Sequence, residues 1–293
     1  MRRLRSIAGR IRRRLFKNRN RKAISAFKSG IWQTDQISDA FVKGSDASEV
    51  MLAEIMDREV NVYFLNHCGP EDRVLDIGCG HGIVSEYIAS HGIQVTAIDI
   101  SDRLLDQFRQ RVEGRNLPLT ILKGNAYNIP AADNSYSKVV ARMFLPHFPD
   151  WPKVLGEIAR VTMPGGRIMV HFPSKENSLT ATSLGDKNCR FATDPDTGDP
   201  WTYYAETDER ELVTLSRMLG LNLVSRVPVS FFAHNRIIGR QLGQQLYDRY
   251  QDELAERLKD ENVRDFVVWF DTMFTANAGP GLSHIAIVTF EKR

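Results

Sequence analysis

From residue 46 onward the chain alternates between two kinds of apolar pattern. Short unbroken apolar runs predict buried strands at Arg73–Gly78, Ile93–Asp99, Pro118–Lys123, Lys138–Met143 and Arg167–Phe172. Between them the apolar residues recur every three or four positions, as on one face of a helix. Ile83, Val84, Tyr87 and Ile88 form one such face. Leu104, Leu105, Phe108 and Val112 form a second, with Ser101 as its N-cap. Val154, Leu155, Ile158 and Val161 form a third, stopped by Pro164–Gly165–Gly166. A further helix is predicted over 47–66, broken by Gly69–Pro70. Strands alternating with amphipathic helices imply right-handed βαβ units. The expected fold is therefore α/β, a doubly wound and mostly parallel sheet, with its ligand at the carboxyl ends of the strands.

The regularity lapses after Pro173 for about 33 residues, polar at first and then aromatic at Trp201, Tyr203 and Tyr204. Loops of that length are commonly lids or unstructured, and 173–206 is read as an acceptor-side loop. A helix at Asp208–Leu219, ended by Gly220, leads into a strand at Leu221–Val229. A helical insertion is predicted over 231–283, where Leu242, Leu246, Tyr250, Leu254 and Leu258 step by four and Val263, Phe266, Val267 and Phe270 continue the burial. A strand at His284–Phe290 brings the sheet to seven. Two regions result: an N-terminal arm, 1–45, and one domain, 46–293.

Charge separates these regions more sharply than the net +3 suggests. Residues 1–30 hold twelve Lys or Arg and no acid, whereas the other 263 residues hold 27 basic and 36 acidic side chains. Leu4, Ile7, Ala8, Ile11 and Leu15 would form an apolar stripe on a helix, with arginines on its other faces. Such a segment, 1–22, suits an anionic membrane surface. A solvated tail, a mitochondrial transit peptide and an RNA-contacting arm stay open beside that reading. No run approaches 18 apolar residues, and the three cysteines form no CxxC pair. No membrane-spanning helix, zinc site or disulfide framework is expected, and a reducing compartment is. The expected location is cytoplasmic, peripheral on the inner membrane face if the arm binds lipid, or the mitochondrial matrix if it is a transit peptide.

The candidate chemistry lies in VLDIGCGHG, residues 74–82. Gly78, Gly80 and Gly82 end the first strand and open a helix, and without Cβ atoms they let a ligand approach the backbone. A dinucleotide loop would place its third glycine at position 83, which is Ile83. Asp76 is a poor neighbour for a pyrophosphate and a good one for a cation. Asp99 ends the second strand, where one carboxylate can accept from both hydroxyls of a ribose.

With these residues in place, the chain resembles the class I S-adenosylmethionine-dependent methyltransferases, in the group that includes ubiquinone and small-molecule methyltransferases. VLDIGCGHG is similar to the family's first motif and AIDIS (97–101) to its second. GNAYNIP (124–130) is similar to its adenine segment, and RVTMPGGRIMV (160–170) to the approach to strand five. The resemblance covers about 46–173, with the last two strands fitting the family's terminal antiparallel pair. It implies S-adenosylmethionine as cofactor, with Gly78, Gly80 and Gly82 against the methionine portion and Asp76 near its amino group. Asp99 would hold the ribose, Ile100 would pack on the adenine, and Ala126 and Asn125 would bond to its edge. The family usually has Asp where this chain has Asn125. Arg142, at the end of strand four, would line the pocket.

Candidate bases are His147 and His171, and Tyr203 and Tyr204 are candidates to line an acceptor pocket. The implied acceptor is a small molecule, a lipid-linked intermediate or a glycan. An RNA or protein methyltransferase using the arm, and a catalytically silent partner protein, are the alternatives. No RNA-binding module is recognisable, so nucleic acid is disfavoured as a partner.

Overall fold

The computed structural model describes residues 47–148, 150–173, 190–193, 200–204, 208–229, 244–277 and 285–293. The basic arm and most of the polar loop after Pro173 lie outside the described residues. In chain order the elements are α1 (Ala47–Asn66), β1 (Arg73–Ile77), α2 (Ile83–Ser90), β2 (Gln94–Asp99), α3 (Asp102–Val112) and β3 (Leu119–Lys123). Then come β4 (Tyr136–Arg142), a 3-10 turn (Leu145–His147), α4 (Trp151–Val161), β5 (Thr162–Pro173), β6 (Arg190–Thr193) and β7 (Pro200–Tyr204). α5 (Glu209–Met218), β8 (Leu221–Val229), α6 (Gln244–Arg257), α7 (Glu261–Asn277) and β9 (Ile285–Lys292) complete the series.

Seven strands form one sheet in the order β3-β2-β1-β4-β5-β9-β8. The first five are parallel, and β9 runs antiparallel to both β5 and β8. The chain winds outward one way from β1 through β2 to β3, then crosses back to β4, so the switch point lies between β1 and β4. In such sheets the crevice beyond the strand ends at that place is where ligands bind.

Successive strand residues face opposite sides of the sheet, and the core divides accordingly. Leu75, Ile77, Val139, Ile168 and Val170 pack with Leu155, Ile158 and Leu212 of α4 and α5. Val74, Val95, Val140, Met169 and Ile287 pack on the other face with Val60 and Phe64 of α1 and Val84 and Ile88 of α2. Asp76 shares a face with Val74, which directs its carboxylate beneath α2. Ser101 caps α3 as its type suggests, its Oγ accepting from the Leu104 N–H at 3.4 Å.

Two departures from the sequence pattern have local causes. The helix before β5 ends at Val161, ahead of Pro164, because Thr162 already pairs with Tyr136 and donates its hydroxyl to the Ile158 carbonyl at 2.7 Å. The Pro164–Gly166 stretch is then a bulge within β5, not a helix stop. There Gly165 has φ 74°, and a Cβ on Gly166 would meet the Met163 carbonyl at 2.8 Å. Within the stretch read as loop, β6 and β7 pair as an antiparallel hairpin, Phe191 opposite Tyr203. The Trp-Thr-Tyr-Tyr run has the β-propensity for this despite its polar surroundings.

Candidate functional site

Beyond β1 the chain turns through three left-handed glycines, Gly78 (φ 74°), Gly80 (φ 55°) and Gly82 (φ 85°). The Gly78 and Cys79 N–H groups both donate to the Ile98 carbonyl, at 2.8 and 3.1 Å, which draws the turn over the end of β2. The three glycines are required for different reasons. A Cβ on Gly78 would lie 2.1 Å from the Phe144 ring, and one on Gly82 would lie 2.2 Å from Phe108. Around Gly80 nothing stands within 4 Å. Two positions are filled by the protein itself, and the middle one faces open space.

Asp99 closes this turn from the β2 side. Its Oδ2 accepts from the Gly80 N–H and its Oδ1 from the Ser101 N–H, both at 2.9 Å. Burial pushes its pKa up, opposed by the N–H groups of Ser101, Gly80 and Ile100. Beyond these N–H groups the carboxylate keeps acceptor capacity for a ligand hydroxyl.

Asp76 has a different setting. It is 1% exposed and accepts from the Ser85 hydroxyl at 2.5 Å. Burial pushes its pKa up to about 6, against the Ser85 hydrogen bond and the Arg142 charge, with Asp99 adding to the rise. Arg142, at the end of β4, donates from Nη2 to Asp57 of α1, and its buried Nε has no acceptor among the described residues. His81 lies near the same cation. Burial first, then Arg111 and Arg142, hold its pKa below the ordinary imidazole value. Asp76, Arg142 and Asp99 are thus gathered at the ends of β1, β4 and β2.

The raised Asp76 pKa makes stability depend on pH. A carboxyl that holds its proton more tightly folded than unfolded loses stability as pH rises from about 4, the unfolded value, to about 6. Above that the penalty is constant, at roughly 3 kcal/mol for a shift of about two units. Asp76→Asn should therefore gain on the native protein by about that amount between pH 4 and pH 8, read from denaturant midpoints. A stability difference flat across that range would contradict the buried-carboxylate account.

On the β3 side Asn125 is exposed, and its Oδ1 accepts from the Tyr127 N–H at 3.0 Å, an Asx turn that shapes the loop. Ala126 is buried, and its N–H meets no acceptor among the described residues. Ile100, partly buried, follows Asp99 at the same edge. Tyr127 donates its hydroxyl to Asp150, and its ring meets Phe148 edge-on at 5.5 Å. Phe148 in turn meets Phe144 at 4.6 Å. These aromatic contacts tie the loop after β3 to the segment after β4, and nothing in the local sequence pattern marked Phe144, Tyr127, Asp57 or Ser85. A left-handed glycine at a strand end, needing a partner for its bare side, was the one available signal for Phe144.

The candidate bases separate. His147 ends the 3-10 turn, half-buried, with its N–H on the Phe144 carbonyl at 3.1 Å. His171 is 0% exposed, set within the sheet between Arg142 of β4 and Ile287 of β9. Its side chain lies in the interior, level with the end of β4. Tyr203 and Tyr204 lie in β7, which runs beside the 3-10 turn. Among the described residues no three His, Cys, Asp or Glu side chains gather as a metal site would need.

Residues 75–170 match the methyltransferase domain family. The demethylmenaquinone methyltransferase of Bacillus cereus is 29% identical over 145 residues, 46% of this chain and 61% of that protein. That of Renibacterium salmoninarum is 37% identical over 102 residues, 34% of this chain and 41% of that protein. The chain thus spans less than two thirds of either relative. Among solved structures, the 1,6-didemethyltoxoflavin-N1-methyltransferase of Burkholderia thailandensis, bound to 1,6-didemethyltoxoflavin and S-adenosylhomocysteine, has a TM-score of 0.54 at 15% identity. The match covers 90% of this chain and 88% of that one, and it shows a shared fold. With the glycine turn, the acid at the end of β2 and the sheet order in agreement, residues 75–170 form a domain of the class I S-adenosylmethionine-dependent methyltransferase family.

Proposed function

We propose that the chain is an S-adenosylmethionine-dependent methyltransferase acting on a small-molecule acceptor. One observation carries this reading: Asp99 is stitched to the Gly80 N–H beside a glycine that faces open space, at the switch point of the sheet. The remaining groups fit the same ligand. The Ala126 N–H suits a ring nitrogen, and the remaining acceptor capacity of Asp99 suits the ribose hydroxyls. The orphaned Nε of Arg142 suits an amino-acid carboxylate, and the acids Asp76 and Asp57 favour a cation nearby. Demethylmenaquinone and didemethyltoxoflavin, the compounds for which the relatives are named, support a small acceptor.

When bound, S-adenosylmethionine supplies a methyl carbon already activated by its sulfonium. The protein's contribution is then alignment and exclusion of water. The loop after β3 and the aromatic segment after β4 would hold the two ends of the ligand in one orientation. His147, on the turn between Phe144 and Phe148, is the candidate to take a proton from a hydroxyl acceptor.

Calorimetric titration with S-adenosylmethionine and S-adenosylhomocysteine tests the first half of the proposal, with micromolar binding expected. Transfer of labelled methyl from S-adenosylmethionine into the small-molecule fraction of a cell extract tests the second. No heat of binding at millimolar ligand would remove the proposal altogether.

A further inference from the structure

The strand order assigns a position to the sulfur of the proposed cofactor, and one aromatic ring stands there. Across the row β3-β2-β1-β4 the nucleoside sites fall in sequence, Ala126 beyond β3 and Asp99 beyond β2. In the cofactor a single carbon separates the ribose from the sulfur. Neighbouring strands are about 4.8 Å apart, so the sulfur would lie one strand further along, over the end of β1. That is the place of Gly78.

The space a side chain would take at Gly78 belongs to Phe144. A Cβ there would stand 2.1, 2.5 and 2.9 Å from its Cδ2, Cε2 and Cγ, so the ring rests on the glycine backbone. The segment holding the ring is fixed at both ends. Met143, just before it, has φ 48°, a costly conformation for a residue with a side chain, and donates its N–H to the His171 carbonyl at 2.8 Å. On the other side Phe148 packs against the ring at 4.6 Å and 62°. Phe144 is only half-buried, so the ring is not sealed into the core.

A sulfonium, like a quaternary ammonium and unlike a Lys, Arg or His cation, has no N–H to donate. Hydrogen-bond acceptors cannot single it out, and the charge of Asp76 and Asp99, which also accept from Ser85 and from Gly80 and Ser101, attracts any cation alike. The negative face of an aromatic ring attracts a cation without needing a hydrogen bond. We propose that Phe144 is a specificity-determining residue whose ring, seated on Gly78, holds the sulfonium by cation–π attraction and so favours the charged cofactor over its neutral spent form. The attraction ends when the methyl group leaves, since the thioether that remains is uncharged. This inference rests on the cofactor reading above.

The test is the ratio of two dissociation constants, for S-adenosylmethionine and for S-adenosylhomocysteine, measured by calorimetry on the full chain. Phe144→Leu should weaken S-adenosylmethionine about fivefold more than S-adenosylhomocysteine. Phe144→Tyr keeps an aromatic face and should keep the native ratio. Because the leucine variant loosens the packing on Gly78, fluorinated phenylalanines incorporated at position 144 give a second measurement with little change of shape. The ratio should fall stepwise as fluorination withdraws charge from the ring face. Equal weakening of both ligands by Phe144→Leu, or a ratio indifferent to fluorination, would overturn the proposal while leaving the cofactor assignment intact. A native protein that binds neither ligand would overturn both.

Discussion

Asp99→Ala should raise the dissociation constant for S-adenosylmethionine by about two to four orders of magnitude. Two hydrogen bonds from ribose hydroxyls to a charged acceptor are lost, each contributing about 1.5–3 kcal/mol. The same substitution releases the N–H groups of Gly80 and Ser101, so the turn that receives the ligand loosens as well. Asp99→Asn should not rescue binding. One of its two positions becomes an NH2 group, and both carboxylate oxygens now accept from backbone N–H, so a donor would face a donor. Thermal melting with and without S-adenosylmethionine separates these effects. The native protein should be stabilised by saturating ligand, and both variants should melt at one temperature whether or not ligand is present. A ligand-induced shift that survives in Asp99→Ala would show that the ribose lies elsewhere.

Alanine at the three glycines should divide stability from binding. Gly78→Ala and Gly82→Ala drive a methyl group into aromatic rings, at 2.1 and 2.2 Å, and demand a left-handed conformation of a residue that resists it. Strain and overpacking together cost about 3 kcal/mol, which lowers the melting temperature by roughly 6–12 °C in a domain of this size. Phe108, which Gly82 meets, is completely buried and has little room to retreat. Gly80→Ala carries only the conformational cost, about 1 kcal/mol, because its methyl would enter open space. Its melting temperature should drop by only about 2–4 °C. Affinity for S-adenosylmethionine should reverse the order, with Gly80→Ala the weakest binder for its stability. Equal melting temperatures for all three variants would refute the division.

Much of the frame was legible because it is repetitive. A strand end such as Asp99 follows from an apolar run that must stop where backbone meets solvent, and the cap at Ser101 and the strand Leu221–Val229 follow from local signals. The pairing of Asp99 with the glycine turn was legible too, since adjacent parallel strands bring their ends together. Groups joined only by the tertiary fold were not. Arg142 meets Asp57 across 85 positions, and no local period relates them. Asp76 lies between Leu75 and Ile77, and alternation indicates which face it takes but not that Ser85 waits there. His171 shows what alternation leaves open: the sequence puts a polar residue in a strand, and only the structure shows it fully buried, level with Arg142 at the end of β4.

The seat that Phe144 provides for Gly78 means that the glycine-rich stretch is only half of a socket. A fragment ending short of β4 would retain each glycine and both acids, yet leave the first bend of the turn with no surface to rest against. The ring that completes the bend is encoded three strand connections later in the chain, just after β4.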